Sequence, residues 1–228
     1  MKIAEIYLSI QGEGLLTGAE SVFVRASGCN LRCWYCDTPF ASWSPEGEDL
    51  SVAEILDQVD PHECDHVVLT GGEPMLFAEL VPLAAALRRE GMHVTIETAG
   101  TLDLPVECDL MSISPKLSNS TPVGRLHPRW SRRHEQSRHA PEVVRRLVRN
   151  YPYQFKFVVD QPSDCEEVEQ YLALFPQIDR SRVLLMPQGT DPDELVRQGE
   201  WLKPYCEAAG LRFCPRRQIE WFGLVRGT

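Results

Sequence analysis

Long apolar runs and targeting features are missing from this sequence. No run approaches the ~18 apolar residues that a membrane-spanning helix needs, and repeats and low-complexity segments are absent. The first residues, Met1–Glu5, lack the basic start, the long apolar stretch and the cleavage site of a signal peptide. We therefore expect a cytoplasmic protein that has no membrane partner.

Positive charge is also scarce, because 23 lysines and arginines stand against 33 acidic residues and the net charge is −10. Such a balance argues against a phosphate-binding surface, and we expect no nucleic-acid partner. Residues 117–150 are the exception, since their only acidic residues are Glu135 and Glu142. The arginines of this segment are Arg125, Arg129, Arg132, Arg133, Arg138, Arg145, Arg146 and Arg149. We interpret it as a solvated loop and helix in preference to an RNA-binding surface.

Disulfides are not expected in a reducing compartment. The eight cysteines are therefore interpreted as metal ligands, nucleophiles or small buried residues. A chain of 228 residues with 43% hydrophobic content is long enough for one large core, and we predict a single domain over residues 1–228.

Eight short runs rich in apolar and β-branched residues predict strands that alternate with helical patterns. They are Ile3–Leu8, Ser21–Ala26, His66–Thr70, His93–Glu97, Leu110–Ser114, Tyr153–Val159, Arg182–Met186 and Leu211–Cys214. This alternation indicates a parallel sheet with crossover helices, arranged as an open doubly wound sheet or as a full or partial (βα) barrel. We predict an α/β fold of the barrel type, with parallel strands and incomplete closure.

Helix starts are marked by two capping-box spacings and two first-turn prolines. These residues are Ser51 with Glu54, Ser163 with Glu166, Pro141 and Pro192. The longest helical pattern before the arginine-rich segment is Leu76–Glu90, in which Pro82 can introduce a kink.

Polar or glycine-rich segments directly follow five of the predicted strands. They are Cys29–Asp37, Gly71–Pro74, Thr98–Thr101, Pro115–Lys116 and Pro187–Gly189. The C-terminal ends of parallel strands meet at one edge of the sheet, where α/β folds build their active sites. We therefore expect these segments to form one site.

Cys29, Cys33 and Cys36 are spaced Cys-x3-Cys-x2-Cys within the first of these segments. A structural zinc site takes four protein ligands, and the nearest further candidates are His62 and Cys64. A four-iron cluster held by three thiolates leaves one iron open to an outside ligand. The number three thus favours an iron–sulfur reaction site over a zinc site or buried free cysteines. The other cysteines are interpreted as packing residues, and Cys214 is the one that most needs checking.

This cysteine spacing resembles that of the radical S-adenosylmethionine superfamily. Tyr35 stands just before the last cysteine, and Gly71–Pro74 follows the next buried strand, as in that superfamily. The resemblance implies a [4Fe–4S] cluster whose open iron is chelated by the amino and carboxylate groups of S-adenosylmethionine. The glycine-rich turn would hydrogen-bond the amino group, since glycine lets the backbone approach a ligand closely and Glu73 supplies a counter-charge.

A narrower resemblance covers residues 3 to about 116 and continues more loosely to the end. Its motifs are Ile10–Gly14, Arg25, Cys36–Thr38, Thr70–Pro74, Glu97–Thr101 and Ser114–Lys116. Together they are similar to the 7-carboxy-7-deazaguanine synthases. This implies a lyase that contracts the ring of 6-carboxy-5,6,7,8-tetrahydropterin to 7-carboxy-7-deazaguanine in the 7-deazapurine (queuosine) pathway. A 5′-deoxyadenosyl radical would take hydrogen from C6, and the ring would contract with loss of ammonia. The hydrogen would then return from 5′-deoxyadenosine, so that the cofactor is regenerated.

The same resemblance implies a role for each motif residue. It implies no catalytic side chain, because the cofactor carries the radical chemistry. The implied substrate-binding residues are Ile10, Gln11, Gly12, Arg25, Thr70 and Gln188. The implied S-adenosylmethionine-binding residues are Tyr35, Cys36, Asp37, Gly72, Glu73, Ser114, Pro115 and Lys116. Cys29, Cys33 and Cys36 would hold the cluster, and Thr38 would be the only protein ligand of a Mg²⁺ ion that also binds the substrate.

Plainer interpretations stay open for several of these residues. They are Gln11 as a turn residue, Arg25 as a surface strand residue, Lys116 as a solvated lysine and Thr38 as a loop hydroxyl. Glu13 and Glu97 are candidate supporting groups, although Glu97 can equally pair with an arginine.

The resemblance weakens toward the C-terminus, where the family places a histidine and this chain has Arg216–Gln218 within an extended tail, about residues 215–228. The partners that we expect are a pterin substrate, a reductant such as flavodoxin and a second copy of the chain in a homodimer. A dock for that reductant is a third interpretation of the arginine-rich segment. The rival functions are activation of a protein substrate by radical chemistry and a zinc-stabilised binding module without catalysis.

Overall fold

The computed structural model describes residues 1–122 and 128–228 of the chain. Within these residues nine strands form one sheet in the order β3-β1-β2-β4-β5-β6-β7-β8-β9. The strands are β1 (Lys2–Ile10), β2 (Glu20–Ala26), β3 (Glu48–Asp49), β4 (His66–Gly71), β5 (His93–Thr98), β6 (Leu110–Ile113), β7 (Tyr153–Val159), β8 (Val183–Pro187) and β9 (Arg212–Phe213). All eight predicted strands are present, and the ninth, β3, is too short to produce a sequence pattern.

Strand direction differs from the prediction at one end of the sheet. In the sheet order from β2 and β4 to β9, neighbouring strands are parallel. Strand β1 pairs antiparallel with both β2 and β3. Ile10 therefore pairs with Glu20 at the N-terminal end of β2, and the loop after β1 starts at the edge of the sheet opposite the other site loops. A parallel arrangement of β1 and β2 would need a crossover of about a dozen residues, which the intervening residues 11–19 do not supply.

The sheet is strongly curved and open. Glu13 lies just after β1 yet pairs with Lys156 on β7, although four strands separate β1 from β7 in the sheet. The two edge strands, β3 and β9, do not pair with each other in the described part of the chain. The predicted incomplete barrel is thus confirmed.

Eight α-helices are present in the described residues. They are α1 (Pro39–Ser42), α2 (Val52–Val59), α3 (Leu80–Arg89), α4 (Pro128–Arg138), α5 (Pro141–Asn150), α6 (Pro162–Leu172), α7 (Pro192–Ala209) and α8 (Arg217–Phe222). The first-turn prolines Pro141 and Pro192 are confirmed, as is the Ser51–Glu54 capping box. Arg125 of the arginine-rich segment lies outside the described residues.

Two helix predictions need correction. The Ser163–Glu166 capping box is wrong because the N-cap of α6 is Gln161, two residues earlier. The side chain of Asp164 accepts hydrogen bonds from the N–H groups of Asp160 (2.7 Å) and Gln161 (3.2 Å) instead. The long pattern Leu76–Glu90 forms a helix only from Leu80, so Pro82 lies in the first turn, where its missing N–H costs no helical hydrogen bond.

Alternation along the strands separates a core from a cavity. On β7, Phe155 and Phe157 are fully buried in the apolar core, while Lys156 between them lines the cavity. Gln154 alternates with the same phenylalanines and contacts Ser112 (2.8 Å) and the N–H of Leu15 (2.7 Å). On β2, Val24 belongs to that core and its neighbour Arg25 faces the cavity. Because side chains alternate between the two faces of a strand, polar residues at every second position mark the cavity side.

Candidate active site

One cavity of about 370 Å³ opens at the C-terminal edge of the parallel strands. Its walls include residues from all five of the segments expected there, and most of the predicted site residues line it. These are Ile10, Gln11, Gly12, Arg25, Cys29, Cys33, Tyr35, Cys36, Asp37, Thr38, Thr70, Gly72, Ser114, Lys116 and Gln188. Glu73 and Pro115 are buried behind the wall instead of lining it.

The cysteine segment is held in place by several tethers. Asn30 donates a side-chain hydrogen bond to Thr101 Oγ1 (2.9 Å), and Trp43 Nε1 donates to the carbonyl of Cys33 (2.9 Å). Cys36 Sγ lies 3.1 Å from the hydroxyl of Ser42 on α1. The three thiols therefore reach the cavity from a loop whose path is fixed by the surrounding strands and helix.

The environment of the thiols fits an iron–sulfur cluster. Burial raises the pKa of Cys29 to about 12 and that of Cys33 to about 11, so these thiolates need nearby positive charge. Among residues 1–122 and 128–228, no three His, Cys, Asp or Glu side chains lie close enough to hold one metal ion. A four-iron cluster requires no such convergence, since each thiolate binds a different iron.

Position in the fold separates Cys64 from these three thiols. Cys64 precedes β4, and its Sγ contacts the carbonyls of Glu20 and His66 (both 3.4 Å) at the opposite edge of the sheet. It cannot therefore serve as a fourth ligand of a zinc site at Cys29–Cys36.

The glycine turn after β4 packs directly against the start of the cysteine segment. Gly71 has φ +137°, and a Cβ there would lie 2.1 Å from the carbonyl oxygen of Ala26. A Cβ on Gly72 would lie 2.2 Å from the oxygen of Gly28 and 2.4 Å from that of Ala41. Only glycine permits this close approach of two backbones, which leaves a cradle of main-chain groups beside the thiols.

The fully buried carboxylate of Glu73 anchors this turn to the end of β5. It accepts hydrogen bonds from the hydroxyl of Thr98 (2.8 Å) and from the N–H groups of Ala99 (2.9 Å) and Met75 (3.1 Å). Burial raises the pKa of Glu73, and these three donors oppose that rise. Its observed contacts thus join two loops of the site.

Gln11, Thr70 and Glu97 form one hydrogen-bonded group on the wall formed by β4 and β5. Gln11 Nε2 donates to Glu97 Oε1 (3.3 Å), and Thr70 Oγ1 donates to Glu97 Oε2 (2.7 Å). Gln11 is also a turn residue, because its Oε1 accepts from the N–H of Glu13 (3.0 Å). Glu97 therefore has hydroxyl and amide partners, and its nearest cation is Lys156 at 3.9 Å.

Arg25 faces the cavity, and its guanidinium is fixed by Glu5 (2.7 Å) and by the hydroxyl of Tyr7 (2.7 Å). Burial opposes the charge of Arg25, but Tyr7 and Glu5 outweigh it and raise its pKa. The alternative of a surface strand residue is thus wrong. Lys116 is equally constrained, since its Nζ donates to the carbonyl (2.9 Å) and hydroxyl (2.7 Å) of Ser114.

A group of charged and polar residues lies across the cavity, and of its members the sequence suggested a supporting role only for Glu13. Glu13 pairs with Lys156, accepts a hydrogen bond from Gln218 Nε2 (2.5 Å) and lies 3.4 Å from Arg216 Nε. Burial alone would raise the pKa of Glu13, but the charges of Lys156 and Arg216 lower it to about 2. The same pairing raises the pKa of Lys156. We call Glu13, Lys156, Arg216 and Gln218 the charge wall.

Arg216 connects the charge wall to the cysteine segment. Its NH2 pairs with Asp37, and its NH1 donates to the carbonyl of Gly189 (2.6 Å). Gly12 packs against Gln218, where a Cβ would lie 2.3 Å from its side-chain oxygen. The segment in which the resemblance weakens thus takes part in the site.

Cys214, one of the isolated cysteines, lies beside this wall. It is 1% exposed, and its Sγ accepts a hydrogen bond from the N–H of Gly14 (3.2 Å). The thiol therefore helps to hold the loop after β1 inside the curved sheet.

The tail after α8 closes one side of the cavity, which residues 223–228 line. Arg226 holds this segment, because its guanidinium contacts Glu5 (3.0 Å), Glu46 (3.0 Å) and the carbonyl of Ala4 (3.1 Å). It also stacks over the ring of Phe40 at 4.0 Å. The predicted tail is thus partly a helix, α8, and partly a strap across the site.

The family model described as "Radical SAM superfamily" matches residues 23–115. Across 99% of its length the chain is 46% identical to the 7-carboxy-7-deazaguanine synthase of Rhodopirellula baltica, of which it covers 88%. It is 42% identical to the enzyme of that name from Halobacterium salinarum, over 96% of the chain and 89% of the relative.

Two solved structures share the fold. QueE from Escherichia coli superposes with a TM-score of 0.71 at 24% identity, covering 95% of this chain and 93% of QueE. Streptococcus suis SuiB bound to S-adenosylmethionine gives a TM-score of 0.55 at 16% identity, covering 83% of this chain and 48% of SuiB. No helix in the described residues is long and apolar enough to cross a membrane.

Proposed function

Because the chain belongs to the family of 7-carboxy-7-deazaguanine synthases, radical S-adenosylmethionine lyases, we propose that it converts 6-carboxy-5,6,7,8-tetrahydropterin to 7-carboxy-7-deazaguanine. The observation that carries the proposal is that one cavity unites the three thiols with the polar groups expected to bind a pterin. Cofactor and substrate would therefore meet in one enclosed space, as hydrogen transfer between them requires.

Cys29, Cys33 and Cys36 would hold the [4Fe–4S] cluster, and the main-chain cradle at Gly72 would receive the amino group of S-adenosylmethionine. When bound, the reduced cluster supplies the electron that cleaves S-adenosylmethionine and so provides a radical that abstracts hydrogen. Tyr35, Asp37 and Ser114–Lys116 would orient the rest of that cofactor. Glu73 would hold the cradle itself through its bonds to β5.

Gln11, Thr70 and Glu97 suit the aminopyrimidinone edge of a pterin, which presents N–H donors and a carbonyl acceptor. Glu97 offers carboxylate oxygens, and the Gln11 amide offers both a donor and an acceptor. Main-chain groups of Ile10 and Gly12 lie beside them on the cavity wall. Arg25, fixed by Glu5 and Tyr7, would then bind the substrate carboxylate, and Gln188 would contact the substrate from the loop after β8.

A Mg²⁺ site at Thr38 is the most detailed part of this proposal. Thr38 occupies the N-cap position of α1 and lines the cavity. Its side chain makes no capping hydrogen bond, and its hydroxyl lies 3.8 Å from Cys36 Sγ. Mg²⁺ keeps most of its waters and takes few protein ligands. A single protein hydroxyl, with substrate oxygens completing the coordination shell, agrees with this behaviour. We expect Thr38→Ala to lose Mg²⁺ stimulation while retaining the cluster, and Thr38→Ser to keep much of it. A Thr38→Ala variant that responds to Mg²⁺ as the parent does would refute this ligand assignment.

Anaerobic turnover tests the activity. The reconstituted enzyme would be incubated with S-adenosylmethionine, dithionite and 6-carboxy-5,6,7,8-tetrahydropterin, and the product quantified against S-adenosylmethionine consumed. We expect several products per S-adenosylmethionine, because the cofactor is regenerated. A strict one-to-one ratio would favour the rival, radical activation of a protein, and one zinc without iron would favour the binding module.

Further expectations concern partners and domain organisation. We propose that a reducing protein such as flavodoxin supplies the electron, that the chain is one domain over residues 1–228 and that two copies form a homodimer. Family membership supports the first of these, because an oxidised cluster must be reduced before it can cleave S-adenosylmethionine. Sedimentation of the anaerobic enzyme tests the homodimer, which a monomeric mass would exclude.

A further inference from the structure

Helix α4 lies directly on the cysteine segment. His134 of α4 is 1% exposed, and its Nδ1 accepts a hydrogen bond from the N–H of Arg32 (3.0 Å), between Cys29 and Cys33. Burial lowers the pKa of His134 to about 4, so the imidazole is neutral and can accept at Nδ1. The other ring nitrogen lies 2.9 Å from the hydroxyl of Ser120. The helix and the segment of the proposed cluster ligands are therefore parts of one rigid assembly.

Further contacts reinforce this assembly. The guanidinium of Arg32 lies 4.6 Å from the ring centroid of Trp130 on α4. Trp34 donates from its main-chain N–H to the carbonyl of Ser120 (3.1 Å) and from its ring N–H to that of Asn119 (2.7 Å). Its side chain nevertheless remains 51% exposed, beside the cysteines in sequence. An aromatic surface thus lies next to the proposed cluster.

The outer side of α4 carries positive charge that no carboxylate balances in the described residues, while Arg129 and Arg133 each lie 5.9 Å from the ring centroid of Trp130. Arg129, Arg132 and Arg133 are exposed, and no carboxylate among the described residues forms a salt bridge with them. Arg138, nearer the protein, is by contrast paired with Glu135 and Glu167. We call Arg129, Arg132 and Arg133 the arginine face. It is a basic patch on a protein of net charge −10.

We propose that the arginine face, together with the exposed Trp34, is the docking site of an acidic one-electron carrier protein. The inference rests on the proposed function, because only a cluster that must be reduced needs such a partner. The exchange is balanced: the carrier is oxidised by one electron, the cluster is reduced by one electron, and no atom is transferred. Unpaired arginines would attract an acidic partner and orient it over the cysteine segment, where the electron must enter.

Position favours a protein carrier over RNA as the occupant. The helix that carries the arginine face contacts the cysteine segment through His134 and Trp130, a location that electron delivery requires and RNA binding does not. The net negative charge of the chain would also repel an extended polyanion beyond the patch. RNA binding becomes an outcome of the test.

The test compares two triple variants of the holoenzyme. R129E/R132E/R133E reverses the arginine face, and R89E/R149E/R212E makes the same charge change at exposed arginines on α3, α5 and β9, near the opposite edge of the sheet. A flavodoxin serves as the acidic probe, and its Kd is measured by calorimetry at low and high salt. We expect about tenfold or weaker binding for the first variant, a change below threefold for the second, and loss of parent binding at high salt.

Turnover provides an independent arm of the same experiment. With dithionite as the reductant all three proteins should turn over within twofold of one another, whereas with reduced flavodoxin only R129E/R132E/R133E should be slowed. Failure of the parent with dithionite would count against the proposed function, and equal flavodoxin affinity of both variants would overturn the docking site. Arginine-dependent binding of a labelled single-stranded RNA without an effect on flavodoxin would overturn it as well. If the charge reversal prevents folding, as judged by circular dichroism, R129Q/R132Q/R133Q makes the same comparison.

Discussion

The two sides of the cavity are built in different ways. One side, the motif wall, consists of the loops after β2, β4, β5 and β6, where thiols, glycines and main-chain groups lie close together in sequence. The other side is the charge wall, in which single side chains from positions 13, 156, 216 and 218 meet across most of the chain. The motif wall depends on backbone geometry, whereas the charge wall depends on compensation between buried charges. The two walls should therefore fail in different ways when mutated.

The largest expected effect is on the motif wall. Alanine at Cys29, Cys33 or Cys36 should abolish turnover and lower the iron content, since two thiolates would remain for the cluster. Cys64→Ala is the matched control, because Cys64 lies at the opposite edge of the sheet. Absorbance near 400 nm, iron analysis and turnover measure the difference. Full activity of any of the three variants would remove the cluster assignment.

On the charge wall the main loss should be stability. Lys156→Met leaves the Glu13 carboxylate buried beside Arg216 without its strongest partner, and breaking a buried pair in this way costs about 3–5 kcal/mol. The exposed Lys203→Met on α7 is the control, with an expected change of about 0.5 kcal/mol or less. Urea denaturation of both variants measures the free energies of unfolding. Equal stability of Lys156→Met and the parent would contradict the account.

The loss of stability in Lys156→Met should depend on pH. Glu13 has its pKa lowered from an ordinary 4.5 to about 2, so its ionised form stabilises the fold fully above pH 4.5, and this contribution disappears as the pH falls toward 2. The stability difference between the parent and Lys156→Met should therefore shrink over the same interval. A difference that is independent of pH would show that Lys156 acts by packing alone.

A glycine-to-alanine substitution, which adds one methyl group, tests the backbone geometry of the motif wall. Gly72→Ala places a Cβ 2.2 Å from the oxygen of Gly28, so the glycine turn and the cysteine segment must separate. We expect binding of S-adenosylmethionine to weaken at least about tenfold, the equivalent of 1.4 kcal/mol. Gly199→Ala on α7 is the control, because its Cβ would meet nothing nearer than Phe213 at 3.6 Å. Unchanged affinity in Gly72→Ala would mean that the cradle does not bind this cofactor.

The smallest effect is expected where the two walls meet. Arg216→Lys keeps the positive charge but cannot contact Asp37, Glu13 and the carbonyl of Gly189 together, because a lysine lacks the planar guanidinium. We expect a severalfold rise in the KM for the pterin when S-adenosylmethionine is saturating, with little change in stability. Arg217→Lys at the neighbouring exposed position serves as the control.

The contrast between the walls also explains how much the sequence could predict. The motif wall was predictable because Cys-x3-Cys-x2-Cys and Gly-Gly-Glu-Pro are local patterns that follow strands. On β7 a usable signal existed, since Gln154 and Lys156 alternate with two phenylalanines in an otherwise apolar strand, and this indicates a polar cavity face. Arg216 and Gln218 had no such signal, because their contacts arise only when the loop after β1 folds back inside the curved sheet.

The error in the direction of β1 has an equally specific cause. The antiparallel β1 could have been inferred from the short connection to β2. Glu73 shows the limit of a motif: its place in the sequence implies cofactor binding, while its side chain is turned toward Thr98, Ala99 and Met75. A motif conveys which residues are near a ligand, but the direction of each side chain depends on tertiary packing.

Isotope transfer tests most directly the central claim that both walls enclose one substrate and one cofactor. The enzyme would be given 6-carboxy-5,6,7,8-tetrahydropterin carrying deuterium at C6, with S-adenosylmethionine and reductant, and the recovered S-adenosylmethionine examined by mass spectrometry. The account predicts deuterium at the 5′ carbon of that recovered cofactor, with several products formed for each S-adenosylmethionine consumed. Recovered S-adenosylmethionine without deuterium, after product has formed, would contradict it.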